Sequence, residues 1–254
     1  MRYRPIDKDP EDPRLGRFIP DDWAHVEKYP LTAPAEEAPT PRPVVIGVNW
    51  YTEFDKPQEQ VTRGGTKYVL PGADSLTKVR GGHCVCLEPD GEPDPEEWWE
   101  FYDQGAEGAC VGFGWSRCMS LLNQELYTAR WLWDRAKEID QWPETNPGDD
   151  NGTSCRAAGD ILKDRGHVDW SEEYAGDDNT ERDDYTPAAD NGIKLFRWAR
   201  SVDDVHKVLG YDGGGVTFLN SWGRDGYPHR VWMPDDVLEH LMNEQGEVAV
   251  PTDR

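Results

Sequence analysis

The chain has 254 residues, which is enough for one large domain or for two lobes that share a cleft. Apolar residues make up 36% of it, and twelve tryptophans and ten tyrosines add large side chains, so the composition is that of a globular rather than a disordered protein. The net charge of −23 argues against nucleic acid and anionic membrane surfaces as partners.

The sequence predicts a cytoplasmic protein. The basic residues at positions 2 and 4 are not followed by an apolar run, so no signal peptide is visible. Nowhere do eighteen apolar residues follow one another, which argues against a membrane-spanning helix. Five cysteines are an odd number for a disulfide scaffold, and they agree with a reducing compartment.

The first 43 residues are rich in proline and charge. Because proline disfavours strand ladders and helix interiors, they predict an extended arm that lies over a surface. A globular domain is expected from 44 to 254. Its pattern predicts, in order, strands at 44–50 and 83–87, helical structure from Cys110 to about Ile139, a helix at 154–165, an acidic loop at 169–191, a helix from Ser201 to Gly210, and strands at 216–219 and 227–233.

Cys110 opens the first helical segment directly after a glycine-containing turn. A helix N-terminus and a neighbouring imidazolium both lower the pKa of a thiol, which favours a nucleophilic thiolate at this position. Gln104, six residues earlier, is placed to donate a side-chain hydrogen bond to a developing oxyanion. His83 lies on a predicted strand, and Asn220 is able to hold the tautomer of a histidine.

Together these residues resemble the papain-like cysteine peptidases. The matching motifs are Gln104-Gly105 before Cys110, a Gly-His-small-Val strand at His83, and an Asn-Ser-Trp-Gly sequence that begins at Asn220. The resemblance implies that Cys110 is the nucleophile, His83 the base, Asn220 the residue that orients the base, and Gln104 part of the oxyanion hole.

The resemblance also implies a substrate-binding set. The segment from 150 to 154 looks like the glycine-containing segment of the family that pairs with the substrate backbone, which assigns Gly152 and Thr153 to substrate binding. Trp222 belongs to the same set, and it is expected to shield the bond between His83 and Asn220 from water.

Chain order departs from the family. The family places cysteine before histidine and histidine before asparagine, whereas here His83 precedes Cys110. We interpret this as a transfer of the strand pair 44–87 to the N-terminal side, which a connector at 88–103 is long enough to allow, since sixteen extended residues span about 50 Å. Val111 also stands where the family has tryptophan.

The expected fold is α+β and papain-like, with a helical lobe at about 104–190 and an antiparallel β lobe built from 44–103 plus 191–254. The implied reaction is hydrolysis of peptide or isopeptide bonds in a peptide or protein substrate through a Cys110 thioester. No metal, organic cofactor, nucleic acid or membrane is implied, and the oligomeric state is open. The permuted order is similar to uncharacterised papain-like proteins of tailed phages, which implies a viral setting and association with the virion.

Alternatives remain at this stage. One alternative hypothesis is an inactive papain-like binding or structural module. Another is a peptidoglycan-cleaving amidase that uses the same residues. His229, on a predicted strand after the asparagine motif, is the competing base. A zinc site at His83, Cys84 and Cys86 is disfavoured, because alternate strand residues face opposite sides and a fourth ligand is lacking.

Overall fold

The structure is a computed structural model of the chain. It describes residues 2–6, 17–21, 41–62, 65–89, 102–140, 151–170, 186–210, 213–223, 227–244 and 246–252. Within these ranges no helix combines the length and the apolar character that crossing a membrane requires.

The described part of the chain forms a mixed sheet of eight strands and a separate two-stranded ribbon. The strands are β1 (Arg2–Ile6), β2 (Arg17–Asp21), β3 (Val44–Tyr51), β4 (Gln58–Thr62), β5 (Gly65–Val69), β6 (Val79–Leu87), β7 (Leu195–Ala199), β8 (Gly215–Leu219), β9 (Arg230–Pro234) and β10 (Glu247–Thr252). The order in the larger sheet is β4, β5, β9, β8, β6, β3, β10, β7, with one parallel pairing, between β5 and β9.

Five α-helices complete the part of the fold that the structure describes. They are α1 (Cys110–Asn123), α2 (Ala129–Ile139), α3 (Cys155–Asp164), α4 (Val202–Leu209) and α5 (Asp235–Asn243). The predicted α+β class is confirmed. Helices α1 to α3 fall in the segment assigned to the helical lobe, and all eight strands of the larger sheet fall in the two segments assigned to the β lobe.

The strand pair β3 and β6 lies beside β8 in the larger sheet. Residue Val48 is opposite His83, and Cys86 is opposite Leu219, although more than a hundred residues separate β6 from β8 in the chain. The prediction that 44–50, 83–87 and 216–219 share one sheet is therefore confirmed. This pairing brings the histidine strand next to the strand that ends at Asn220.

The sheet is covered on both faces. Alternate residues of β3 and β6 face α1, α2 and α3, and we call this the helix-side core; it contains Val45, Cys84, Cys86, Cys110 and Cys155. The remaining residues face α4 and α5 in a second core that we call the far-side core; it contains Val48, Trp50, Val85, Val205 and Leu238. Burial on both faces explains why these strands read as continuous apolar runs.

The local helix signals give accurate ends. Ser154 caps α3, since its hydroxyl accepts a hydrogen bond from the backbone N–H of Ala157 at 3.1 Å. Ser201 caps α4 in the same way, and Gly210 ends α4 in the left-handed conformation, with φ of 72°.

Two sequence-based predictions need correction. The helical pattern from Cys110 to Ile139 is not continuous, because Gln124 adopts φ of 57° and separates α1 from α2. The prolines of the arm were expected to exclude a ladder, and this is wrong for β1 and β2, which pair antiparallel with Pro5 opposite Phe18. A two-stranded ribbon has two edges, where a missing N–H is tolerated.

Candidate active site

Cys110 is the first residue of α1, and its sulfur faces the sheet. The residue is 7% exposed, and the backbone N–H of Cys84 donates a hydrogen bond to its thiol. Since Cys84 follows His83 directly in β6, the packing of α1 on the sheet brings the predicted nucleophile to the histidine strand. The predicted approach of the Cys110 sulfur to the ring of His83 itself stays a prediction.

The side chains of His83 and Asn220 meet between β6 and the end of β8. His83 Nε2 lies 2.9 Å from Asn220 Oδ1. The backbone N–H of Ser221 donates to the same oxygen at 2.8 Å, which fixes this atom of the amide as the oxygen. An oxygen only accepts, so the neutral imidazole carries its proton on Nε2 and Nδ1 is the basic nitrogen.

Two tryptophans enclose the His83 ring. Trp222 packs over it with the ring centroids 4.8 Å apart and the planes at 37°, and Trp50 contacts it edge-on at the same distance. His83 is 2% exposed and Trp222 is 4% exposed. The bond between His83 and Asn220 is buried, and the two roles given to Trp222, shielding this bond from water and binding substrate, stay predictions.

Gln104 is fully buried and is held by the segment that follows Asn220. Its Oε1 accepts a hydrogen bond from the hydroxyl of Ser221 at 2.7 Å, and its Nε2 donates to the carbonyl of Glu107 at 2.9 Å. The backbone N–H of Gln104 also donates to the carbonyl of Ser221 at 2.9 Å. These bonds tie the turn before α1 to the Asn-Ser-Trp-Gly motif, so Gln104, Cys110 and Asn220 belong to one connected region.

The segment that carries Gly152 and Thr153 lies beside the same turn. A Cβ added to Gly152 would lie 3.7 Å from the carbonyl oxygen of Gly108, two residues before Cys110. Thr153 is buried, and its hydroxyl donates to the carboxylate of Asp140, which also accepts from the backbone N–H of Ser154 at 2.9 Å. The side chain of Thr153 thus stabilises the segment, and the assignment of both residues to substrate binding stays a prediction.

Burial dominates the electrostatics of Cys110. It raises the pKa of the thiol to about 12, and the hydrogen bond from the backbone of Cys84 only partly offsets this rise. This direction is opposite to the one expected from a helix N-terminus and an imidazolium. In the arrangement observed, Cys110 rests as a neutral thiol.

The competing base, His229, does not take the position of His83. The backbone carbonyl of His229 accepts a hydrogen bond from the backbone N–H of Asn220 at 2.9 Å, whereas the side chain of Asn220 binds His83. Burial, together with Arg117 and Arg230, lowers the pKa of His229 to about 3. Such a ring is a poor acceptor of a proton near neutral pH.

The five cysteines and His167 are buried in the interior. All five cysteines are free thiols and buried. Within the described ranges, no group of three or more His, Cys, Asp or Glu side chains is arranged to hold a metal ion. His167 accepts a hydrogen bond from the N–H of Val168 at Nδ1 and lies 2.8 Å from the hydroxyl of Ser116 at Nε2, so it is a satisfied core residue.

Sequence reasoning missed two residues that shape this region. Ser221 bridges Gln104 and Asn220, and its position inside the Asn-Ser-Trp-Gly motif was the available signal. Trp50, on the neighbouring strand β3, packs edge-on against the ring of His83. The sequence clue for it was its position at the end of a predicted apolar strand.

No protein-family model matches the chain, and no curated protein matches it. Among solved structures, the chain is similar to xylellain, a cysteine protease from Xylella fastidiosa, with a TM-score of 0.48 and 16% identity over 66% of this chain and 87% of the other. It is also similar to digestive procathepsin L 3 of the Tenebrio molitor larval midgut, with a TM-score of 0.41 and 13% identity over 79% of this chain and 77% of the other.

Proposed function

We propose that the chain is a cysteine peptidase that hydrolyses peptide or isopeptide bonds through a thioester on Cys110. The observation that carries the proposal is the 2.9 Å contact between His83 Nε2 and Asn220 Oδ1 under the ring of Trp222. This contact makes Nδ1 of His83 the basic nitrogen. His83 lies on β6, the strand against which α1 packs Cys110. A histidine oriented by an asparagine and shielded from water is the arrangement that thiol catalysis requires.

In the acylation step, the Cys110 sulfur attacks the carbonyl carbon of the substrate while its proton passes to Nδ1 of His83. The backbone N–H of Cys110 and the Nε2 amide of Gln104 stabilise the negative oxygen of the tetrahedral intermediate. His83 then returns the proton to the leaving amine, and the acyl group remains on the sulfur as a thioester.

In the deacylation step, His83 takes a proton from water, and the hydroxide attacks the thioester carbonyl. The same donors stabilise the second oxyanion, and the proton returns to the Cys110 sulfur when the acid product leaves. Because burial raises the pKa of Cys110 to about 12, proton transfer to His83 accompanies the attack rather than preceding it.

The raised pKa of Cys110 favours a second candidate function, that of a papain-like module without turnover. The neutral thiol of a residue that is only 7% exposed is a poor nucleophile unless a base removes its proton. The two candidates therefore differ in one property, the assistance that His83 gives to Cys110.

An epoxide probe for thiol peptidases separates the candidates. We expect the wild-type protein and Cys118→Ala to be labelled on Cys110, and Cys110→Ala to stay unlabelled. Cys118 is the matched control because it is a fully buried cysteine on the same helix. A folded wild-type protein that neither takes the label nor cleaves a casein or peptide library would exclude the peptidase and leave the inactive module.

Asn220 is a positioning residue whose role has its own test. We expect Asn220→Ala to lower kcat at least about tenfold with little change in KM, since it acts on the tautomer of His83 and does not bind substrate. His240→Ala, a partly exposed histidine on α5, is the control and should leave both constants unchanged. An equal loss from both variants would contradict the role given to Asn220.

A further inference from the structure

Three cysteine sulfurs gather beneath the candidate active site. The sulfurs of Cys84 and Cys155 lie 3.6 Å apart, joined by a thiol hydrogen bond and not by a disulfide. The backbone N–H of Cys84 donates to the sulfur of Cys110, so Cys110 adjoins the same pair. Cys110 and Cys155 are also the first residues of α1 and α3, which means that two helix N-termini converge on this cluster.

Two glycines make the room that the pair occupies. A Cβ on Gly47 of β3 would lie 2.9 Å from the sulfur of Cys155, and a Cβ on Gly114 of α1 would lie 2.9 Å from the sulfur of Cys84. Any side chain at either position would collide with a sulfur. The close contact of Cys84 and Cys155 therefore depends on glycine on both sides, from two different elements.

Exposure differs within the cluster. Cys110 is 7% exposed, Cys155 is 4% and Cys84 is 1%, so Cys110 is the most exposed residue of the three and is taken as the entry point of a small oxidant. Besides burial, the neighbouring thiols of Cys155 and Cys110 raise the pKa of Cys84, and Cys155 adds to the rise at Cys110, so the three sulfurs lie near one another. An oxidised Cys110 thus has two thiols beside it.

We propose that Cys84 and Cys155 form a resolving dithiol, which takes over the oxidation of Cys110 by a peroxide and ends as a Cys84–Cys155 disulfide. The proposal rests on the proposed function in one respect, because the reaction of Cys110 with peroxide uses the same proton transfer to His83. The inference goes further in assigning a modification site to two cysteines that hydrolysis does not use.

The steps balance with hydrogen peroxide as the oxidant. The Cys110 thiol displaces water from hydrogen peroxide and becomes a sulfenic acid. The Cys84 thiol attacks that sulfur, releases a second water and forms a Cys84–Cys110 disulfide. The Cys155 thiol attacks the Cys84 sulfur, forms the Cys84–Cys155 disulfide and returns Cys110 as a thiol. One peroxide is reduced to two waters, and two thiols are oxidised.

The chain holds an internal control. Cys86 and Cys118 are a second pair of buried thiols, joined by a hydrogen bond between their side chains and facing the same core. The proposal gives the Cys86–Cys118 pair no role, so its two thiols should stay reduced under conditions that oxidise Cys84 and Cys155.

The test treats the full chain with hydrogen peroxide, blocks the remaining thiols with N-ethylmaleimide during denaturation, and maps the peptides by mass spectrometry without reduction. We expect a Cys84–Cys155 cross-link in the wild type and in Cys118→Ser. Cys110→Ser should form it at least about tenfold more slowly, because the point of entry is lost. Cys155→Ser should accumulate the Cys84–Cys110 disulfide.

Three outcomes overturn the proposal. They are oxidation of Cys110 to sulfinic acid while Cys84 and Cys155 remain thiols, a cross-link that forms equally fast in Cys110→Ser, and a Cys110 that does not react with peroxide. Labelling by the epoxide probe in the same samples distinguishes the two proposals. A Cys110 that takes the probe but leaves the dithiol reduced refutes the relay alone, whereas a Cys110 inert to both reagents refutes the peptidase as well.

Discussion

Glu247 provides a quantitative test of the packing beside the site. It opens β10 opposite Gly47, and burial raises the pKa of its carboxyl from an ordinary 4.5 to about 7, with Asp140 adding to the rise and Arg156 opposing it. A rise of this size corresponds to about 3 kcal/mol between the protonated and ionised forms. Because the residue keeps partial contact with solvent, we expect about 1–2 kcal/mol of it to appear in stability.

The sign follows from proton binding. Below pH 4.5, Glu247 is protonated in both the native and the unfolded states, and its contribution to the free energy of unfolding is fully present. Between pH 4.5 and 7 the unfolded state loses its proton while the native state keeps it, so stability falls as pH rises. Above pH 7 the native state carries a buried charge, and the loss is complete.

Glu247→Gln removes this titration. We expect the free energy of unfolding of the variant, relative to the wild type, to rise by about 1–2 kcal/mol between pH 5 and pH 8. The assay is urea denaturation followed by the fluorescence of the twelve tryptophans. Glu239→Gln, which makes the same change on the exposed face of α5, is the control for the loss of a surface carboxylate. A flat difference for Glu247→Gln would refute the reasoning.

Two further predictions concern the helical layer. Gly112→Ala should lower the free energy of unfolding by about 2 kcal/mol, because the added Cβ would lie 2.5–2.9 Å from atoms of α2. Gly152→Ala is the control in the same urea assay. The nearest atom to its added Cβ lies at 3.7 Å, so the free energy of unfolding should change by less than about 0.5 kcal/mol. Burial lowers the pKa of His167 to about 3, so its ring should remain neutral down to pH 5, with the proton on Nε2 facing Ser116. A long-range nitrogen–proton NMR spectrum reports the protonation of both ring nitrogens, and a charged ring at pH 6 would contradict this prediction.

Local signals in the sequence were enough for the helices with polar caps. The ends of α3 and α4 depend on hydrogen bonds within a few residues of Ser154 and Ser201, so the sequence contains what is needed to predict them. Helix α5 was missed although Pro234 precedes it and Asp235 and Asp236 stand in its first turn, which are helix-start signals. The break at Gln124 had no local signal of comparable strength.

One contact of the candidate site, between His83 and Asn220, was predictable from the sequence, while the roles given to the site residues stay predictions. The sequence motifs predicted that His83 and Asn220 pair. The structure brings them together because their strands, β6 and β8, are neighbours in the sheet. The pKa of Cys110 was not predictable in the same way. Its sign depends on how completely β6 and α3 exclude water from the sulfur, and that depends on packing between residues far apart in the chain.

The neighbouring positions of β3 and β10 bear on how this architecture relates to chain order. Arg42, just before β3, donates from Nη1 to the carbonyl of Pro251 near the end of β10 at 2.7 Å, so the first strand of the domain begins where the last one finishes. A polypeptide rejoined at that point and opened between β6 and α1 would run from Cys110 through Asn220 to His83, with each strand keeping its neighbours. The neighbours of Cys110, His83 and Asn220 in this fold therefore do not depend on the order in which the chain reaches them.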